Sequence, residues 1–168
     1  IAVILADHDP AYEEIAFKFL ENFIWITYAM DKVGERQDDM WDEEDGFYYD
    51  VLRLPGGEAF RLKVRSMVGL LPLCASTVFE EESVTRHPKL MELIALFRKR
   101  HPEVLAHVAP DVEGFVGHAG RRLLSPLTRT KLERILGYLL DEKEFLSPYG
   151  IRALSRHYLE HPFVFHVA

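Results

Sequence analysis

The chain has 168 residues, 48% of them hydrophobic and 28% charged, a globular balance that excludes intrinsic disorder. Its formal charge of −7 excludes a general nucleic-acid binder, because neutralising phosphates needs a basic face. A single cysteine, Cys74, excludes an internal disulfide framework and a cysteine-based zinc site, and no apolar run reaches the ~18–20 residues of a membrane span.

Residues 1–6 are apolar from the start and read as the last turns of a helix. The segment Phe163–Ala168 is apolar too, whereas chain ends are usually polar, so the expectation is a piece of a longer polypeptide forming a single partial domain over 1–168. Asp9-Pro10 places an N-cap before a proline at the first helical position and predicts a long helix from Ala11 to about Val33. Ile15, Phe19, Asn22 and Phe23, Ile26 and Met30 form one stripe, widened by Phe17, Leu20, Ile24 and Tyr28. So broad an apolar face predicts packing on two sides, with Gly34 as the stop.

Asp38–Gly46 reads as a polar loop. Phe47–Leu54 and Ala59–Val64 flank Pro55-Gly56-Gly57 and predict a β-hairpin over about residues 47–64. Its second strand is expected to turn Phe60, Leu62 and Val64 inward and Arg61 and Lys63 outward. A helix is expected from Ser66 to about Phe79, kinked by Pro72. Arg86–Arg100 reads as an amphipathic helix with a basic last turn. His101-Pro102 opens a short helix to about His107, and residues 108–127 read as a glycine-rich loop. Thr128 or Thr130 caps a helix to about Leu140, Phe145–Gly150 is a turn, and Ile151–Glu160 is short and helical or irregular. The expected architecture is mainly α with one β-hairpin.

The charge has an address. Asp38, Asp39, Asp42, Glu43, Glu44, Asp45 and Asp50 lie together without a lysine or arginine, and the remaining acids match the 20 basic residues. Trp41, Phe47, Tyr48 and Tyr49 are interleaved with them. Rings stack on the C–H faces of sugars and carboxylates accept from their hydroxyls, so this stretch offers carbohydrate chemistry. A glycosidase also needs two opposed carboxylates, one of them kept protonated. The alternative is that the rings form hairpin core and the acids are solvated.

Other motifs carry less. His157-Tyr-Leu-Glu-His161 matches an inverted zinc-protease pattern, with Glu160 as base, but Pro162 ends the helix and no third ligand is evident. Gly114, Gly117 and Gly120 before Arg121-Arg122 offer a phosphate cradle whose spacing fits no established fingerprint. An EF-hand register puts Trp41 where an oxygen ligand is required. Cys74 sits in an apolar segment and is expected to be buried and inert. No cofactor and no metal site are expected.

Three blocks carry a resemblance: Trp41-Asp-Glu-Glu-Asp-Gly-Phe-Tyr-Tyr-Asp50, Leu62-Lys-Val-Arg-Ser-Met-Val-Gly-Leu-Leu-Pro-Leu73 and Glu144-Phe-Leu-Ser-Pro-Tyr-Gly-Ile-Arg-Ala-Leu-Ser155. In sequence and order they resemble glycoside hydrolase family 63, which includes processing mannosyl-oligosaccharide glucosidases and bacterial α-glucosidases. The resemblance spans about residues 1–162. It implies the middle portion of an (α/α)6 toroid in an inverting α-glycosidase. The family's acid lies in an Asp-Gly-Thr type segment before the helix that ends at residues 1–6, and its base is a glutamate well downstream of a Trp-Arg-Gly-Pro type segment; neither motif is present, so no catalytic carboxylate is expected in this segment.

By the same resemblance, Trp41 and Tyr48 are stacking or wall residues. Asp45, Asp50 and Arg65 bind hydroxyls or orient neighbours, and Tyr149 and Arg152 border the glycone pocket. Asp50 and Arg65 have the alternative of pairing across the hairpin. Should the isolated chain prove active, Asp45 and Asp50 are the fallback catalytic carboxylates. The implied partner is an oligosaccharide or small glucoside, with no nucleic acid and no membrane, and a cytoplasmic location is favoured. The alternative functions are a helical interaction module and, behind it, a zinc-dependent hydrolase using His157, Glu160 and His161. Exposed apolar helix faces lead to an expectation of self-association.

Overall fold

A computed structural model describes residues 1–31, 39–104 and 117–166. Val33, Gly34, Asp38, Gly114 and the predicted helical residues beyond Val104 lie outside these. The chain divides into two units, Ile1–Ala29 with Ser76–Pro126, and Met30–Ala75 with Leu127–Ala168.

The expectation of a mainly α arc of a toroid is overturned. The described residues are mixed α and β, with four separate two-stranded antiparallel sheets among the helices. A toroid needs long helices in pairs, whereas much of this chain between its longer helices forms short strands and 3-10 turns.

In the first unit, α1 (Ala2–Ala6) precedes α2 (Tyr12–Asp31), the helix that Asp9-Pro10 announces, although its last two residues belong to the second unit. Asp9 accepts the Ala11 N–H at 2.9 Å. The buried side of α2 is the flank of the predicted face rather than its centre. Ala16, Ile24 and Thr27 are buried, with Phe17, Leu20 and Phe23 packed beside Ile24, Phe97 and Val104, while Ile15, Phe19 and Ile26 are exposed. The face is rotated by one residue, about 100° of helix turn.

The next helices are α3 (Glu81–Thr85) and α4 (Pro88–Arg100). Proline opens α4 and Arg98, Lys99 and Arg100 close it, as the sequence indicates. The buried Glu13 carboxylate accepts the Leu90 N–H at 2.8 Å, supplying the cap that α4 lacks locally. Two strands fall where a helix and a loop were expected. They are β5 (Thr77–Phe79) and β6 (Arg122–Leu124), which pair with Thr77 opposite Leu124.

In the second unit, β1 (Trp41–Asp42) and β2 (Phe47–Tyr48) form a tight hairpin, so part of the expected polar loop is ordered β structure. Gly46 turns it with φ +67°. The predicted hairpin follows as β3 (Asp50–Arg53) and β4 (Ala59–Leu62), in register from Asp50–Leu62 to Arg53–Ala59. Phe60, expected inward, is exposed.

Met67–Ala75 is a 3-10 helix rather than an α-helix, with the imino acid Pro72 inside it. Cys74 is exposed there, not buried. The helix α5 (Arg129–Leu139) begins at Thr128, whose hydroxyl accepts the Lys131 N–H at 3.4 Å. The predicted turn at 145–150 is a small hairpin, β7 (Leu146–Ser147) with β8 (Gly150–Ile151), and Arg156–Leu159 is a 3-10 turn. The core of this unit is aromatic: Trp41, Phe47, Tyr48, Tyr49 and Phe145, with Leu70, Leu127 and Ile135.

Candidate functional site

The three blocks that carry the resemblance, the third of them far from the other two in sequence, meet in the second unit. The Phe47 and Phe145 rings stack 5.9 Å apart at 12°. Gly69 packs so closely that a Cβ there would lie 2.3 Å from the Phe47 ring and 2.3 Å from the Tyr48 carbonyl. The Met67 N–H donates to Ala153 O at 2.8 Å and the Ser155 N–H to Arg65 O at 2.9 Å, around a Ser66–Leu154 bridge. The Tyr158 hydroxyl ties the junction, donating to Lys63 O and accepting the Arg65 N–H, each at 2.9 Å.

Part of the acidic stretch is compensated by β4. Asp42 is buried, with Oδ1 accepting the Asp45 N–H at 2.8 Å. Its Oδ2 lies 2.8 Å from Arg61 and 3.0 Å from Lys63. Burial pushes the Asp42 carboxyl up, but the Asp45 N–H, Lys63 and Arg61 together outweigh it and hold the group down at about 2. The Asp42 hydrogen bond pushes the Lys63 ammonium up against desolvation. Asp45 accepts the Tyr49 hydroxyl at 2.9 Å and lies 3.2 Å from Lys63. Asp39 accepts Arg61 Nη2 at 2.8 Å.

Arg65 does not pair with Asp50. Its Nη2 lies 3.0 Å from Glu144 Oε1 and its Nε donates to Oε2 at 3.1 Å, a two-point contact that Ser155 Oγ joins by donating to Oε2. Desolvation opposes the Arg65 charge, but the Glu144 carboxylate raises the guanidinium on balance. Asp50 itself is exposed at the start of β3.

Trp41 and Tyr48 are 3% and 2% exposed, so their ring faces are closed by the protein. Lys131 Nζ sits 4.8 Å from the Trp41 centroid and 5.4 Å from that of Tyr48, and lies 2.7 Å from Asp31. The Tyr48 hydroxyl donates to Asp31 at 3.1 Å. Burial first, then the neighbouring carboxylates, push both the Tyr48 and the Tyr49 hydroxyls far above the ordinary phenol range. As placed, these residues are the aromatic core behind the site.

Arg152 is partly buried, and its Nη1 donates to the carbonyls of Glu142, at 3.1 Å, and Leu146. Tyr149 is 99% exposed. A shallow concavity of ≈ 540 Å³ is lined by Arg152, Leu154, Ser155, Arg156, Tyr158 and Leu159.

Among the described residues the remaining motifs do not assemble a site. The His157 and His161 rings lie parallel at 10° and 4.3 Å apart, so their in-plane lone pairs run side by side instead of converging on one ion. No group of three or more metal-ligating side chains occurs among the described residues. At Gly120, where φ is +73°, the Glu81 carboxylate packs against the backbone, the wrong charge for a phosphate cradle. Arg121 is 3.2 Å from Glu80.

Sequence reasoning placed Asp42 in the acidic stretch but missed its cationic partners Lys63 and Arg61, and missed Glu144 and Lys131. Arg61 and Lys63, two residues apart on the chain that follows the acid-rich hairpin, are the available signal for compensation. Glu144 stands at the head of the third block but has no local mark of its partner, since Arg65 is 79 residues away.

Among known proteins, the chain is 40% identical over 179 aligned residues to the uncharacterized protein YMR196W of Saccharomyces cerevisiae (strain ATCC 204508 / S288c). The match covers 99% of this chain and 16% of that protein, so the chain spans a small part of the relative's length. No family model and no solved structure matches the chain. No described helix is long and apolar enough to cross a membrane.

Proposed function

We propose that the chain is a carbohydrate-contacting segment of an inverting α-glycosidase resembling glycoside hydrolase family 63, with the acid and base supplied from outside it. One observation carries the reading. The three blocks that resemble the family converge in one unit, where Arg65 of the second block grips Glu144 of the third and Gly69 of the second lies on Phe47 of the first. Blocks kept in register by such contacts form one surface. The 40% identity to part of a much longer relative suits a segment working within a larger chain.

The carboxylates present suit binding more than proton transfer. Asp42 is held ionised by three donors, and Asp45 is engaged by Tyr49 and Lys63. A general acid needs the opposite environment, one that keeps its proton. The substrate class is an oligosaccharide or small glucoside. The test is proton NMR of α-glucoside hydrolysis by the yeast relative and by this chain alone. The expected result is β-glucose as first product from the long protein and no turnover from the chain. Turnover by the chain would overturn the placement of the acid and base, and Asp45 and Asp50 would be substituted first.

A second reading, a helical interaction surface, is favoured by one feature. Along α2, Ile15, Phe19 and Ile26 are exposed at 45%, 65% and 61%, an apolar stripe at helical spacing. It leads to self-association of the chain, detectable by light scattering.

A further inference from the structure

The concavity of ≈ 540 Å³ in the second unit falls within the range of ligand clefts, about 300–1,000 Å³. Its lining combines two guanidiniums, those of Arg152 and Arg156, with Leu154, Tyr158 and Leu159. The other side-chain polar groups of the lining are spent within the protein. Ser155 Oγ donates to Glu144 Oε2 and accepts the His157 N–H at 3.0 Å. The Tyr158 hydroxyl is taken up by Lys63 O and the Arg65 N–H. What the concavity still offers is guanidinium N–H groups.

Neither guanidinium is neutralised. Arg152 directs Nη1 to the carbonyls of Glu142, Glu144 and Leu146, and its Nε and Nη2 have no partner among the described residues. The Arg156 side chain is exposed and meets no acceptor among the described residues. The Glu144 carboxylate is already engaged by Arg65 and Ser155. The backbone nevertheless holds both arginines in place. The Arg152 N–H donates to O of the fully buried Phe145 at 2.8 Å, and the Arg156 N–H donates to O of the preceding Glu144 at 3.0 Å. Two like charges held on one short segment repel, and a shared anion relieves that repulsion.

We propose that this concavity binds a small organic oxyanion, a carboxylate or a phosphate monoester, that carries an apolar body. The head is held by Arg156 and by the Nε–Nη2 edge of Arg152. That edge takes two oxygens at once, as the same edge of Arg65 does on Glu144. The body covers Leu154 and Leu159, which are 46% and 79% exposed, and the Tyr158 ring. The pinned backbone leaves little ordering to occur on binding. The inference does not depend on the carbohydrate reading.

The experiment is titration of the chain with phenyl phosphate, phenylacetate, inorganic phosphate and neutral benzyl alcohol, followed by amide shifts in a 1H–15N spectrum, in wild type and Arg156→Gln. The expected result is saturable shifts over residues 152–159 with the two aromatic anions, weakened by added salt, and much weaker binding of inorganic phosphate and benzyl alcohol. The tighter of the two anions names the headgroup. Arg156→Gln should weaken both by about tenfold, the size of one lost charge-assisted contact, with an unchanged melting temperature, because that guanidinium braces nothing in the fold. Absence of saturable shifts with either aromatic anion overturns the proposal. So does binding that Arg156→Gln leaves unaltered, or equal affinity for the neutral alcohol or for inorganic phosphate.

Discussion

Arg65 and Glu144, 79 residues apart, meet in a two-point ion pair in which both side chains are 15% exposed. The pair joins the segment after the β3–β4 hairpin to the one before the β7–β8 hairpin, so it fixes the surface on which the proposed site depends. Removing one partner leaves a largely desolvated charge, which costs more than the pair is worth. Arg65→Leu is expected to destabilise the chain by about 2–3 kcal/mol in urea unfolding. Glu144→Gln keeps the shape and one acceptor oxygen and should cost less. A double-mutant cycle with Arg65→Leu should show strong coupling, and additive losses would mean that the two act separately.

Two glycines separate close approach from open space. A Cβ on Gly69 would meet Phe47 and the Tyr48 carbonyl at 2.3 Å, both within the core, so neither can yield easily. Gly69→Ala is expected to destabilise by about 2–3 kcal/mol or more through overpacking. Gly137, inside α5, has nothing within 4 Å of the same position. Gly137→Ala should stabilise by about 0.5–1 kcal/mol, because alanine loses less backbone freedom in a helix. Thermal melts of the two variants should move in opposite directions.

What the sequence disclosed was local. The starts of α4 and α5 are written in Pro88 and Thr128, and the β3–β4 hairpin in Pro55-Gly56-Gly57, because each signal lies beside the element it specifies. The pairing of Thr77 with Leu124 has no such neighbour signal, so local pattern points to helix and loop there. The buried side of α2 lies off the centre of the predicted face for a related reason. With apolar residues nearly all round, periodicity does not choose between stripes one residue apart, and the partners Phe97 and Val104 choose. Residue type located the acidic and aromatic cluster but not its sidedness. Trp41 and Tyr48 turn inward onto Lys131, whereas Tyr149 turns out.

Acid should loosen the second unit through Asp42. Its folded-state pKa of about 2 lies below the ordinary 3.8, so this carboxylate stabilises the fold fully above pH 3.8. The contribution fades as pH falls from there through about 2, and is on the order of 2 kcal/mol at most. Asp42→Asn is expected to lower stability at pH 6 by leaving Arg61 and Lys63 without a common acceptor, and to flatten the loss between pH 4 and pH 2, a window set by that depressed pKa. Equally steep acid limbs in both proteins would assign the loss to other carboxylates.

The stripe Ile15, Phe19 and Ile26 gives the self-association reading a sharp test. Phe19 is 65% exposed on the outer side of α2, so exchanging it for a charge should cost the chain little stability of its own. A stripe that joins copies must, however, exclude water from its centre, and a charge there has no partner. Phe19→Glu is expected to shift the chain from associated to monomeric in light scattering at tens of micromolar, with helix content by circular dichroism unchanged. Lys18→Glu, which alters charge beside the stripe by breaking the 2.8 Å pair with Glu21, should leave association nearly intact. If both substitutions disperse the chain equally, association rests on charge rather than on the apolar face.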